Sequence, residues 1–185
     1  MSTIRIIIFA IMKVTRLQST NDALFPTFER LYRISFPEFE QRTFEHQAKG
    51  LMAENYFLHC YEENSLFVGF VAYWEFADYL YIEHYAISDQ VRGQGYGTRL
   101  LGELIASTNK TVILEIDPVV DEISQKRLRF YRALGFVEND YSHVHPPYQG
   151  KFHGHPLKIL SSGRAITEVE YQRFNQDLKL IVMEK

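Results

Sequence analysis

The stretch Tyr81-Ile-Glu-His-Tyr-Ala-Ile-Ser-Asp-Gln-Val-Arg-Gly-Gln-Gly-Tyr-Gly-Thr-Arg-Leu-Leu101 constrains this chain more than any other, because an apolar strand pattern runs through a glycine-rich turn straight into a helical one. Gly93, Gly95 and Gly97 let a backbone come close to a ligand without Cβ obstruction, and the first amides of the following helix have no internal partners. A phosphate or pyrophosphate suits such a turn, and Arg92 brings a positive charge to the same place.

The flanks decide what sheet the turn sits on. Aromatic and β-branched runs predict strands over 12–17, 55–61, 66–75, 79–88, 111–116, 136–144 and 156–161. Helical patterns fall between them. One covers 22–35, with Ser19, Thr20, Asn21 and Asp22 offering caps; others cover 40–53, 95–108 and 122–134, the last ending at Gly135. Thr167-Glu-Val-Glu170 has capping-box spacing and should start a final helix reaching about 183. This order implies a mixed α/β (α+β) class: a mostly antiparallel sheet of about seven strands with helices on both faces. We read 1–185 as a single domain, with 162–185 as a C-terminal helical tail.

Composition removes several partners. A net charge of -3 without a long basic run argues against nucleic acid, which needs a clustered positive surface. The lone Cys60, in the apolar run Tyr56–Tyr61, reads as a small buried strand residue. Ile6–Ile11 is too short to span a bilayer and lacks a small-residue cleavage pattern. Residues 1–11 read as an extension or upstream start before Met12, and a cytoplasmic protein without a membrane span is expected.

The turn itself leaves two ligand classes open. The nucleotide P-loop pattern is missing. A dinucleotide fingerprint is imperfect, with Thr98 where its third glycine should stand; Glu115 lies where that fold's ribose-binding acid would. Against it stands a strand meander in place of a βαβ start. Gln90-Val-Arg-Gly-Gln-Gly95 instead resembles the Gln/Arg-x-x-Gly-x-Gly/Ala pyrophosphate loop of the GNAT superfamily of acyl-CoA-dependent N-acetyltransferases. Ser124-Gln-Lys-Arg-Leu-Arg-Phe-Tyr-Arg-Ala-Leu-Gly-Phe136 resembles that superfamily's later motif, a helix ending in Phe-Tyr-x-x-x-Gly-Phe. The resemblance is strongest over 79–137.

It implies acetyl-CoA as co-substrate, held by Ala86, Ile87, Ser88, Gln90, Val91, Arg92, Gly93, Gln94, Gly95, Tyr96, Gly97, Thr98, Ser124 and Tyr131, with no metal. The backbone around 86–88 would be splayed from its neighbour, with the Ile87 amide facing the thioester oxygen. Ser124 stands where many members have an asparagine that touches the cofactor. Tyr131 matches the tyrosine that many members use as a general acid, so its phenol is expected to protonate the departing thiolate, unless its ring is merely core.

Transfer to an amine also needs a base. A glutamate within an apolar strand is costly unless paired or functional, so Glu83 is expected to be either the base or a structural hydrogen-bonding group. Simple alternation puts Glu83, Tyr85 and Ile87 on one face, His84 and Ala86 on the other, and His84 competes for the role. In this fold the acceptor side would be walled by about 33–45 and 138–156. Glu38 and Glu40 could attract a cationic amine; His143, His145, His153 and His155 read as pocket lining or polar loop, with a zinc site as the weaker alternative. The expected activity is direct acetyl transfer to a primary amine of a small molecule or peptide. A homodimer is compatible with this reading, and a non-catalytic acyl-CoA-binding domain is the rival.

Overall fold

A computed structural model describes residues 12–184. The extension assigned to 1–11 lies outside them. Among the described residues nine strands form: β1 Lys13–Leu17, β2 Tyr56–Glu63, β3 Leu66–Glu75, β4 Tyr79–Ile87, β5 Thr111–Ile116, β6 Phe136–Asn139, β7 Val144–His145, β8 His155–Pro156 and β9 Lys158–Ser162. Five α-helices join them: α1 Phe25–Ser35, α2 Phe44–Leu51, α3 Tyr96–Ala106, α4 Glu122–Ala133 and α5 Glu168–Asp177.

Seven strands make one sheet in the order β1-β2-β3-β4-β5-β9-β6, and β7 pairs with β8 as a separate ribbon. Among the described residues only β4 and β5 run parallel. The expected class and helix placement therefore hold, and the single parallel pair leaves no βαβ array for a dinucleotide. Phe25, Phe28, Leu31, Leu51 and Phe174 of α1, α2 and α5 cover one face of the sheet; Leu100, Leu101, Leu104 and Leu128 of α3 and α4 cover the other. Cys60 is fully buried, and burial pushes its thiol up to about 12.

Some boundaries move. Asp22 accepts from the amides of Gln18 and Ser19, closing the turn after β1, so it does not cap α1. The helix expected at 40–53 splits into a 3-10 turn at Glu38–Glu40 and α2, capped by the Thr43 hydroxyl. Gln41 causes the break: its side-chain amide donates to the carbonyls of Phe36 and Arg33 and stitches the chain back onto α1. The capping box at Thr167–Glu170 forms as expected. Among the described residues no helix is long and apolar enough to cross a membrane.

Candidate active site

The glycines of the turn do different jobs. Gly93 and Gly95 have φ of 77° and 82°, and a Cβ on either would meet nothing within 4 Å. Gly95 is the N-cap of α3, with no side chain capping the first amides. This is a bare anion cradle. Gly97 is helical, and a Cβ there would sit 2.6 Å from Tyr85 Oη, so its requirement is packing and not ligand approach. Val91 anchors the turn in the core, while Gln94 donates from its side chain to the Gln90 carbonyl. Tyr96 donates its hydroxyl to Glu63, which also pairs with Arg99 at 2.6 Å. Arg92 and Thr98 are exposed, and Arg92 Nε donates to the Ile87 carbonyl at 3.2 Å.

Strands β4 and β5 separate just before the turn. Their pairing ends at Ile82 with Leu114, although β4 continues to Ile87 along β3. The Ser88 amide donates to Val68 O. Antiparallel bonds involve alternate residues, so the Ile87 N–H and C=O point away from β3 into the gap. The Ser88 amide is thereby spent, and Ser88 and Gln90 line a second cleft beside α1.

The gap opens into a cleft of about 560 Å³. Ala86, Ile87, Arg92 and Tyr131 line it, with Phe36, Phe39, Tyr148 and His155 at the far side. Tyr131 packs edge-on against Phe130 and Phe136, and burial raises its phenol to about 12 against the opposing charge of Arg127. Ser124 is elsewhere. It accepts from the amides of Val120 and Asp121 and donates to Asp121 in the N-terminal capping box of α4, so its hydroxyl is not available as a cofactor contact.

Glu83 departs from the expected alternation. Tyr73 pairs with Ile82 and Ala72 with His84, so Glu83 is an extra residue in a β-bulge and shares its face with His84. Its side chain is fully buried. Oε1 accepts from Arg42 Nε at 2.8 Å and Oε2 from Trp74 Nε1 at 2.8 Å. Burial would raise this carboxyl, but the charge of Arg42, the nearby His84 and the two hydrogen bonds outweigh it and hold it below the usual range. A carboxylate with both oxygens engaged and a depressed pKa is a poor proton acceptor. The geometry thus selects the structural alternative for Glu83.

His84 is excluded as a base in a different way. Burial takes its imidazole down to about 4, partly offset by Glu83, and Nε2 lies 2.8 Å from the Glu40 carbonyl. A carbonyl only accepts, so Nε2 donates and His84 positions the Glu38–Glu40 turn. Tyr32, Phe36 and Tyr148 pack around the ring.

A second polar cluster joins Glu115 to His143 and His145, two of the histidines expected as pocket lining or polar loop. Glu115 accepts from Tyr81 Oη at 2.5 Å and from His143 Nε2, while His145 Nε2 lies 3.7 Å away. His145 and His155 face each other across β7 and β8; His153 is exposed. Glu40 lines the cleft, and burial and the charges of Asp117 and Glu115 raise it to about 7 against Arg127. Glu38 is outside it, paired with Lys151. Among the described residues no group of three or more His, Cys, Asp or Glu is arranged to hold a metal ion.

The family model of the Acetyltransferase (GNAT) family matches residues 21–136. A GNAT-family structure from Bacteroides thetaiotaomicron superposes with a TM-score of 0.85 at 27% identity, covering 94% of this chain and 99% of that one. An acetyltransferase of that family from Elizabethkingia anophelis, with acetyl-CoA bound, superposes at 0.56 with 15% identity, covering 82% and 97%. The YjbC protein of Bacillus subtilis (strain 168) is 38% identical over 64 residues, which span 34% of this chain and 33% of its own length.

Proposed function

This chain belongs to the acetyltransferase (GNAT) family, and from that premise we propose that it transfers an acetyl group from acetyl-CoA directly to a primary amine of a small molecule or peptide. The observation that carries the reading is the gap between β4 and β5, which opens into one cleft lined by Ile87, by Arg92 at the start of the glycine turn and by Tyr131. The cradle fits a pyrophosphate: two glycines at positive φ, open space around them and uncapped helix amides. The Ile87 N–H, turned away from β3, suits a thioester oxygen.

Acetyl-CoA supplies the acetyl group as a thioester. A C–N bond forms as the C–S bond breaks, the amine gives up a proton, and the sulfur gains one. Tyr131 donates that second proton from a position where its ring stays packed. The phenol is protonated at neutral pH, and burial, which raises it to about 12, means that it gives the proton only as negative charge develops on sulfur.

Thermal shift with acetyl-CoA, CoA and NAD tests the donor, because a ligand that prefers the native state raises its melting temperature. Stabilisation by both CoA species is expected. A response to NAD and to neither CoA species would overturn the reading.

A further inference from the structure

The far side of the cleft holds more hydrogen-bond acceptors than donors. His145 is 2% exposed, and its Nδ1 lies 2.6 Å from the Pro146 carbonyl oxygen. Nδ1 must therefore carry the ring proton, and in the neutral ring Nε2 is a lone pair. That lone pair is buried, has no hydrogen-bond partner, and faces Glu115 Oε2 at 3.7 Å. In that tautomer the ring nitrogen and the carboxylate oxygen are both acceptors, with no donor between them. Across the ribbon, neither nitrogen of His155 has a partner, and its Nε2 is 4.0 Å from Glu40 Oε1.

Nearby cations are committed elsewhere. Arg127 pairs with Asp117 at 2.5 Å, Arg92 donates to the Ile87 carbonyl, and Lys151 pairs with Glu38. A positive charge suits Glu40 and Glu115, and several donors suit the lone pairs. A primary ammonium brings both. An alcohol brings one donor and no charge; a quaternary ammonium brings charge and no N–H.

We propose that Glu40, Glu115, His145 and His155 form the seat for the acceptor's primary ammonium group, next to a body that packs on Phe36 and Phe39. This rests on the reading of the cleft as an acetyl-transfer site. Glu40 takes the proton: one N–H bond breaks, the electron pair stays on nitrogen for attack, and the carboxylate passes the proton to solvent. The half-buried position of Glu40, its backbone held by His84, fits that task.

Three probes with one body separate the terms: phenethylamine, 2-phenylethanol and phenethyltrimethylammonium, titrated into the CoA-treated chain while imidazole nitrogens are followed by 15N NMR. Phenethylamine should shift the His145 Nε2 signal and bind at least about tenfold more tightly than the other two. Glu40→Gln, which keeps the shape of the side chain, should weaken phenethylamine by about tenfold with CoA affinity unchanged; His145→Phe should abolish the preference. Equal binding of the quaternary probe, or no imidazole shift in a chain that binds CoA, overturns the seat. A His145 shift in a chain that ignores CoA would leave the seat standing and remove the donor reading instead.

Discussion

Arg42 and Glu83 show how one residue's environment changes its chemistry. Arg42 is 1% exposed, donates also to the Val182 carbonyl at 2.6 Å, and lies among the rings of Tyr56, Trp74 and Tyr148. Breaking a buried pair by removing one partner leaves an uncompensated charge and costs about 3–5 kcal/mol. Glu83→Gln should therefore lower the urea midpoint strongly, while turnover per folded molecule stays within about tenfold of the parent. A collapse of turnover in a fully folded variant would return Glu83 to the chemistry. Tyr131→Phe should do the opposite, lowering kcat by about 100-fold or more with stability and CoA affinity preserved; unchanged thiol release across a pH series would remove Tyr131 as the acid. Tyr131 was legible because its motif is contiguous. The fate of Glu83 was not, because its partner lies 41 residues earlier in the chain and a bulge has no sequence signature.

At the scale of elements, the junction of β4 and α3 depends on one packing contact. Tyr85 leaves β4 on the α3 side, and its hydroxyl fills the space where a Gly97 Cβ would be. Gly97→Ala should overpack this junction and cost about 1–3 kcal/mol, with weaker CoA binding as α3 shifts. Tyr85→Phe removes the obstructing oxygen, so the double variant should recover most of the loss; a double-mutant cycle with no coupling would show that Gly97 serves the ligand after all. Strands and helices with strong local periodicity were readable, β3 and β5 to the residue. The run read as one strand at 136–144 breaks after Asn139, whose side chain bonds Ser161 and accepts from the Ile166 amide. Such breaks are imposed by distant partners that no local pattern records.

One side of the cleft is lined by the end of β4, Arg92 of the turn and Tyr131 of α4, which fall in two short motifs, and the other is assembled from β5, the Glu38–Glu40 turn and the β7–β8 ribbon. Only the first can be read along the chain. The second side titrates in two opposing ways. His84, held near 4 from an ordinary 6.5, refuses a proton that the unfolded chain accepts, so its contribution falls as pH drops from 6.5 to 4. Glu40, raised to about 7 from 4.5, keeps a proton that the unfolded chain releases, so its contribution is full below 4.5 and is lost as pH rises through 7. These opposing slopes should give a plateau in melting temperature between about pH 5 and 6.5. Glu83 and Glu115, both held below the carboxylate range despite burial, contribute stability above it that is lost at lower pH, so a steep fall should follow below about pH 4.5. Glu40→Gln removes one slope. The variant should melt higher than the parent at about pH 8, where the parent buries a charge, and the difference should vanish near pH 4, where Glu40 is neutral in both states. A difference independent of pH would show that Glu40 does not titrate at the mouth of the acceptor seat.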